Sequence, residues 1–186
     1  MSLSVKLRGE YVATFRAIEV HLMEMLAAWV PTTPEMEVKL LFGEHIWDCA
    51  QHADAFGKRT HELRLPLQHS VSPASGYLEA LNRLRSIGPT TERIAGLYDG
   101  LLPALGGRYR HYLSLTDHLM DAPTVRIIER VLVDHVRMIE QRAALLRERT
   151  DLAHADSVWV DRLIRDEAAV EDLLMPAAVA LADTSG

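Results

Sequence analysis

The sequence predicts an all-α protein organised around four long helices, and three observations carry that prediction. Apolar residues recur at i, i+3, i+4 and i+7 along most of the chain, strand-like alternation is almost absent, and prolines and glycines cut the apolar stripes into segments of helical length. An amphipathic helix must bury its apolar face against another element, so four such stripes in one chain predict a bundle.

Taken in order, the first helix is expected from about Arg8 to Val30, with Tyr11, Phe15, Ile18, Leu22, Leu26 and Trp29 on one face, stopping at Pro31. The second is expected from Pro34, with Thr33 as its N-cap, through Val38, Leu41, His45, Cys49, His52 and Phe56 to about Leu65. The stretch from Leu65 to Pro73 carries two prolines and no periodicity, as a crossover loop does, and a shorter helix follows from Ala74 to Ser86 before Gly88 and Pro89. A third long segment starts near Thr90 or Thr91 and aligns Ile94, Tyr98, Leu101, Leu105, Tyr109, Tyr112, Thr116 and Leu119. Pro103 and the Gly106-Gly107 pair predict a kink within it. The run from Asp121 to Thr124, with Pro123 in a first helical turn, opens a fourth long helix to about Arg149, with Val125, Ile128, Leu132, Val136, Ile139, Ala143 and Leu146 facing inward. A last helix is expected from Asp156 to Leu174, with Trp159, Leu163, Val170 and Leu174 as its stripe, and the tail from Pro176 is expected to fray. One domain spanning 1–186 is expected, with its core bundle at about 8–149.

Composition narrows the function classes. Charged residues make up 25% of the chain and the net charge is -6, with both signs interspersed, which argues against nucleic acid or an anionic membrane surface as the main partner. The lone cysteine, Cys49, excludes an internal disulfide, and the first residues lack the apolar run of a secretory signal. No stretch approaches the ~18 uncharged apolar residues of a membrane span. A cytoplasmic protein without a membrane partner is the expectation.

The second helix carries the feature with the most chemistry. His45, Asp48, Cys49 and His52 stand at i, i+3, i+4 and i+7, within one arc continuous with Val38, Leu41 and Phe56. Polar groups on a core-facing stripe cost free energy unless they are hydrogen-bonded or hold a metal. Two readings follow. In one, these side chains point at a single transition metal, with His135 or Glu129 closing the site from the fourth helix; histidine with carboxylate suits iron, manganese or zinc. In the other they form an internal hydrogen-bond network. Cys49 as a nucleophile would need a base in reach and a lowered pKa, whereas a free cysteine is commonly a small buried hydrophobe. Tyr98, Tyr109 and Tyr112 either line a pocket or pack, and Arg126 and Arg142, if turned inward, are anchors for an acidic substrate.

The segments RAIEV (16–20), WDCAQHADAF (47–56) and DAPTVRIIERVLVDH (121–135) resemble patterns of the ferritin-like carboxylate proteins, among them rubrerythrin-like oxidases and the tRNA hydroxylase group. The resemblance implies a four-helix bundle with a long crossover connection, in which the second and fourth helices each carry Glu-x-x-His and the first and third each give a Glu. Carried over by position, it keeps Glu19 and His52, puts Cys49 where the second-helix Glu would stand, and replaces the fourth-helix motif by His135 and Met138. Taken together with the spacing on the second helix, the expected ligand set is Glu19, His45, Asp48, His52, Glu129 and His135, with Asp48 and Glu129 as substitute carboxylates, holding Fe, Mn or Zn for oxidoreductase chemistry on a small-molecule ligand. The alternative is a metal-free bundle acting as a binding or scaffold protein, with the fifth helix or the outer face of the third as the surface of a possible homodimer.

Overall fold

The computed structural model describes residues 3–174, and all its regular structure is helical, with no strand among the described residues. Helix α1 spans Val5–Trp29 and α2 spans Met36–Glu62, joined by a 3-10 turn at Val30–Thr32. Then come α3 (Ser75–Arg85), α4 (Thr90–Ala95), a π-helical segment (Gly96–Leu101), α5 (Leu102–Leu115), α6 (Ala122–Glu148), a 3-10 turn (Thr150–Leu152) and α7 (Ser157–Ala168). No helix among the described residues is long and apolar enough to cross a membrane.

Cross-contacts give the directions of the four long elements. Along α1 and α2, Phe15 meets Phe56, Glu19 meets His52 and Trp29 meets Phe42, so the two run antiparallel. The same reasoning makes α6 antiparallel to α2, through Arg59 with Thr124 and His45 with Gln141, and α5 antiparallel to α1, through Phe15 with Tyr112 and Glu19 with Tyr109. It follows that α2 and α5 run parallel, and parallel neighbours need a long connection. The segment 63–74 with α3 supplies it, tied to the bundle where Val71 N–H donates to Ala13 O at 3.2 Å and Arg16 Nε donates to Gln68 Oε1 at 2.9 Å.

Packing decides several details that periodicity left open. Ser4, not a later residue, caps α1, its hydroxyl accepting from Leu7 N–H. Thr33 is not the cap of α2: its hydroxyl is buried, donates to Trp29 O and accepts from Arg93, while α2 starts two residues after Pro34. The expected kink is an extra-wide turn. A proline at position 103 has no N–H for the carbonyl four residues back and its ring crowds that carbonyl. The chain widens just before it, with Leu102 N–H reaching Leu97 O five residues away, whereas Gly106 and Gly107 sit in regular helix. Leu119, expected inside, lies beyond the end of α5 and is 85% exposed. The buried face of α6 is also rotated from the expected one: Val131, His135 and Met138 are inside, and Val136 is exposed. The last helix is shorter than expected, ending at Ala168, although Leu163 does pack inward and α7 lies against α3 and the π-helical segment. The expected fraying from Pro176 lies outside the described residues.

One end of the bundle is closed by a polar knot. Asp121 is fully buried and accepts from Arg59 Nη2, Tyr112 Oη, Thr116 Oγ1 and Thr124 Oγ1, at 2.6–2.9 Å. Four donors from three elements compensate the desolvation of that carboxylate and tie α2 to the α5–α6 turn.

Candidate metal centre

Halfway along the bundle, α1, α2 and α6 each direct one buried side chain to a common point. Glu19 lies on the buried face of α1 between Phe15 and Leu22, His52 on that of α2 between Cys49 and Phe56, and His135 on that of α6 between Val131 and Met138. Their ligand atoms all lie within 4.8 Å of one another, and all three residues are buried. His52 Nδ1 is 3.2 Å from Glu19 Oε2, and His135 Nε2 is 3.7 Å from Glu19 Oε1, beyond hydrogen-bond range.

The surroundings of the three differ. The second oxygen of Glu19 accepts from Tyr109 Oη of α5 at 2.6 Å. On the far side of its ring, His52 Nε2 faces Asp134 Oδ2 at 3.1 Å, and Asp134 is itself held by Arg137 Nη2 at 2.9 Å. His135 has neither: both ring nitrogens are buried and have no hydrogen-bond partner. An unpartnered buried polar group costs about 1–3 kcal/mol, so an imidazole with two such nitrogens is held here against its own preference for water.

Electrostatics sort the protonation states. Burial disfavours charge on Glu19, but the imidazoles of His52 and His135 outweigh it and hold the carboxyl far below the ordinary range, so it is ionised. Burial likewise opposes protonation of His52, and here Glu19 and Asp134 on either side of the ring prevail and raise its pKa. Burial pushes the Cys49 thiol well up, with the Glu19 and Asp48 carboxylates adding to it, so Cys49 is a neutral thiol and neither a nucleophile nor a thiolate ligand in this state.

The remaining expected ligands lie elsewhere. His45 is fully buried, but both its nitrogens are taken: Nδ1 pairs with Tyr98 Oη at 2.6 Å and Nε2 with Gln141 Oε1 at 3.0 Å. The amide oxygen accepts only, which assigns the ring proton to Nε2 and makes Tyr98 the donor at Nδ1. Asp48 turns toward α6, where its Oδ1 accepts from Arg137 Nη2 at 2.9 Å. Glu129 is exposed on the outer face of α6. Asp99 and Asp117 are also outside, the first paired with Arg142 and the second accepting the Leu119 and Met120 N–H groups.

Two residues of the cluster were absent from the sequence-derived ligand set. Tyr109 was visible as an inward aromatic, but nothing in its spacing says that its hydroxyl meets Glu19. Asp134 sits about 100° round α6 from His135, off the apolar arc; its signal is local, an acid flanked by Arg130 and Arg137 at i-4 and i+3 and followed by histidine. The chain matches no family model, no curated protein and no solved structure.

Proposed function

We propose that the bundle centre holds one transition-metal ion on Glu19, His52 and His135, and that the protein is a divergent ferritin-like oxidoreductase acting on a small molecule. The observation that carries this reading is His135, whose two buried nitrogens have no protein partner and whose Nε2 faces the Glu19 carboxylate. An ion on that nitrogen turns an unfavourable buried group into a bonded one. Atoms sharing an ion at about 2.1 Å lie within about 4.2 Å of each other. The cluster therefore needs only small side-chain movements to close.

The donor chemistry supports the same reading. Two imidazoles and one carboxylate on three helices suit iron, manganese or zinc, and leave positions for exogenous ligands. Asp134 behind His52 is the kind of outer carboxylate that orients a metal-bound imidazole and raises its basicity. A bridged pair of ions would need more carboxylates than this cluster contains, because Tyr109 and Cys49 stand where further acids would be required. The antiparallel and parallel relations of α1, α2, α5 and α6, with a long connection between α2 and α5, support the ferritin-like topology. Bound at this point, such an ion supplies Lewis acidity or one-electron chemistry; Glu19 and His52 position it, Tyr109 fixes the Glu19 rotamer, and the packed aromatic residues exclude bulk water.

A second reading has its own observation. Glu19 and His52 already have partners at every polar atom, through Tyr109, His52 and Asp134, as an internal network in a binding or scaffold protein would. Elemental analysis of protein purified without chelator or affinity tag separates the two. About one equivalent of Fe, Mn or Zn, lost in His52→Ala and His135→Ala and kept in His45→Gln, supports the metal centre. No metal in any sample, with none taken up from Fe(II), Mn(II) or Zn(II) under anaerobic conditions, rejects it in favour of the scaffold.

A further inference from the structure

His52 is also the inner wall of a groove that opens to solvent between α2 and α6. The groove has a volume of about 280 Å³, with Ala55 and Lys58 of α2 and Arg126, Ile127 and Val131 of α6 lining it beside His52. Ala55 of α2 and Ile127 and Val131 of α6 supply its apolar lining. The volume is near the lower end of small-molecule sites, about 300–1,000 Å³.

Its polar rim is unevenly neutralised. Lys58 Nζ is taken by Asp54 Oδ2 at 2.6 Å, and Arg130 Nε leans 3.8 Å toward Asp134 Oδ2. Arg126 has no ion-pair or hydrogen-bond partner among the described residues. The groove thus offers an apolar floor of Ala55, Ile127 and Val131, a rim on which the Arg126 guanidinium is unpaired, that of Arg130 is engaged only at 3.8 Å and the Gln51 amide is exposed, and an imidazole of the central cluster in its wall. A guanidinium presents a planar fork that matches a carboxylate in two parallel hydrogen bonds.

We propose that this groove binds a small aliphatic or aromatic monocarboxylate, with its carboxylate on Arg126 and its apolar body on Ala55, Ile127 and Val131 beside His52. The proposal names the substrate class of the centre described above; the binding itself does not depend on an ion being present. Arg126, the rim cation without an ion pair, matches one carboxylate, and the floor of Ala55, Ile127 and Val131 suits an apolar body. The acid is thereby delivered to the ring that forms part of the Glu19, His52 and His135 cluster.

Methyl NMR of the intact protein, as purified and after chelator treatment, tests this with benzoate as the probe. Benzoate is expected to shift the Ile127 and Val131 methyl signals in both samples, and to bind about tenfold or more tightly than benzyl alcohol, which has the same ring without the charge. Arg126→Gln, an exposed substitution that leaves the core intact, is expected to weaken benzoate by about tenfold while Arg162→Gln on α7, with the same charge change, leaves it unaltered. Methyl signals unmoved by benzoate, equal binding of benzyl alcohol, or equal effects of the two arginine variants would each overturn the proposal. Failure of the metal reading appears separately, as empty protein in elemental analysis with benzoate binding intact.

Discussion

Tyr109 Oη donates to Glu19 Oε1 at 2.6 Å, joining α5 to α1 at the depth of the cluster. The geometry makes Tyr109 the partner of an ionised buried carboxylate, and the tyrosine hydroxyl is in turn held protonated, burial first and Glu19 second pushing its pKa well up. Tyr109→Phe keeps the ring contacts with Phe15 and Phe56 and removes only that donor. A hydrogen bond to a charged group contributes about 1.5–3 kcal/mol, so urea denaturation is expected to show a loss of that size with an unchanged m-value. Metal content is expected to persist, since Tyr109 positions Glu19 and is not itself among the three ligands. A variant as stable as the parent would show that the bond carries no net weight.

His135 makes the opposite prediction, because its polar atoms are a burden when no ion is bound. His135→Met supplies a flexible apolar side chain of similar reach in a wall that already contains Met138. Chelator-treated His135→Met is expected to be more stable than chelator-treated parent by about 1 kcal/mol, because removal of two unpartnered nitrogens outweighs the loss of an imidazole 3.7 Å from the Glu19 carboxylate, which His52 and Tyr109 still hold. Addition of Zn(II) or Mn(II) should then raise the melting temperature of the parent and leave that of the variant in place. A variant less stable than the parent in chelator would mean that His135 has a structural partner after all.

The polar knot at Asp121 is expected to matter more than any exposed ion pair. Arg59→Met removes one of its four donors and leaves a buried carboxylate short of its charge partner, and breaking such a pair typically costs about 3–5 kcal/mol. The Arg83 and Asp166 pair on the surface is the comparison: Arg83→Met is expected to cost under about 1 kcal/mol. Denaturation midpoints of the two variants, with equal m-values, are the measurement, and similar midpoints would contradict this account.

How much of this was legible beforehand depends on which residues carry it. The stripes through Phe15, Ile18 and Leu22 and through Tyr98, Leu105 and Tyr109 are apolar and regular, so their inward direction was readable and is found. On α6 the stripe was ambiguous, because Leu132, Val136 and Ile139 are as apolar as Val131 and Met138. Only packing against α2 chooses between two arcs about 100° apart. Helix face and spacing alone do not separate His45 from His52, both on the core face at a spacing of seven, and only the ferritin-like resemblance singles out His52. What separates them lies on other helices: Tyr98 and Gln141 occupy His45, while Glu19 and Asp134 face His52. Partners so distant in sequence leave no mark in the local spacing.

The His52 shift gives stability a defined pH dependence. Its folded pKa is raised above the ordinary value of about 6.5 because Glu19 and Asp134 outweigh burial. The protonated ring therefore stabilises the fold fully below about pH 6.5, and this contribution is lost as pH rises through the folded pKa. His52→Gln cannot titrate, so the melting temperature of the chelator-treated parent is expected to fall more steeply above pH 6.5 than that of the variant. Parallel curves for the two proteins across that range would show that His52 is not charged in the fold.

Cys49 supplies the last test, of burial itself. The thiol is 1% exposed and its pKa is raised by burial and by the carboxylates of Glu19 and Asp48, so both access and thiolate fraction are low. The Cys49 thiolate is the species that attacks a disulfide reagent, releasing the reagent's other thiolate, and here it forms only when α1 and α2 part. Labelling of the native protein at pH 7.5 is expected to be at least about 100-fold slower than labelling in denaturant, and to speed up in Tyr109→Phe in proportion to its lost stability. If native Cys49 reacts at the rate of an exposed thiol, the helix pair around Glu19 opens readily in solution, and a cluster that depends on three buried ligands cannot be preformed there. Slow labelling that accelerates with destabilisation would show that Cys49 is a packed core residue, guarded by the same α1–α2 contact that brings Glu19 to His52.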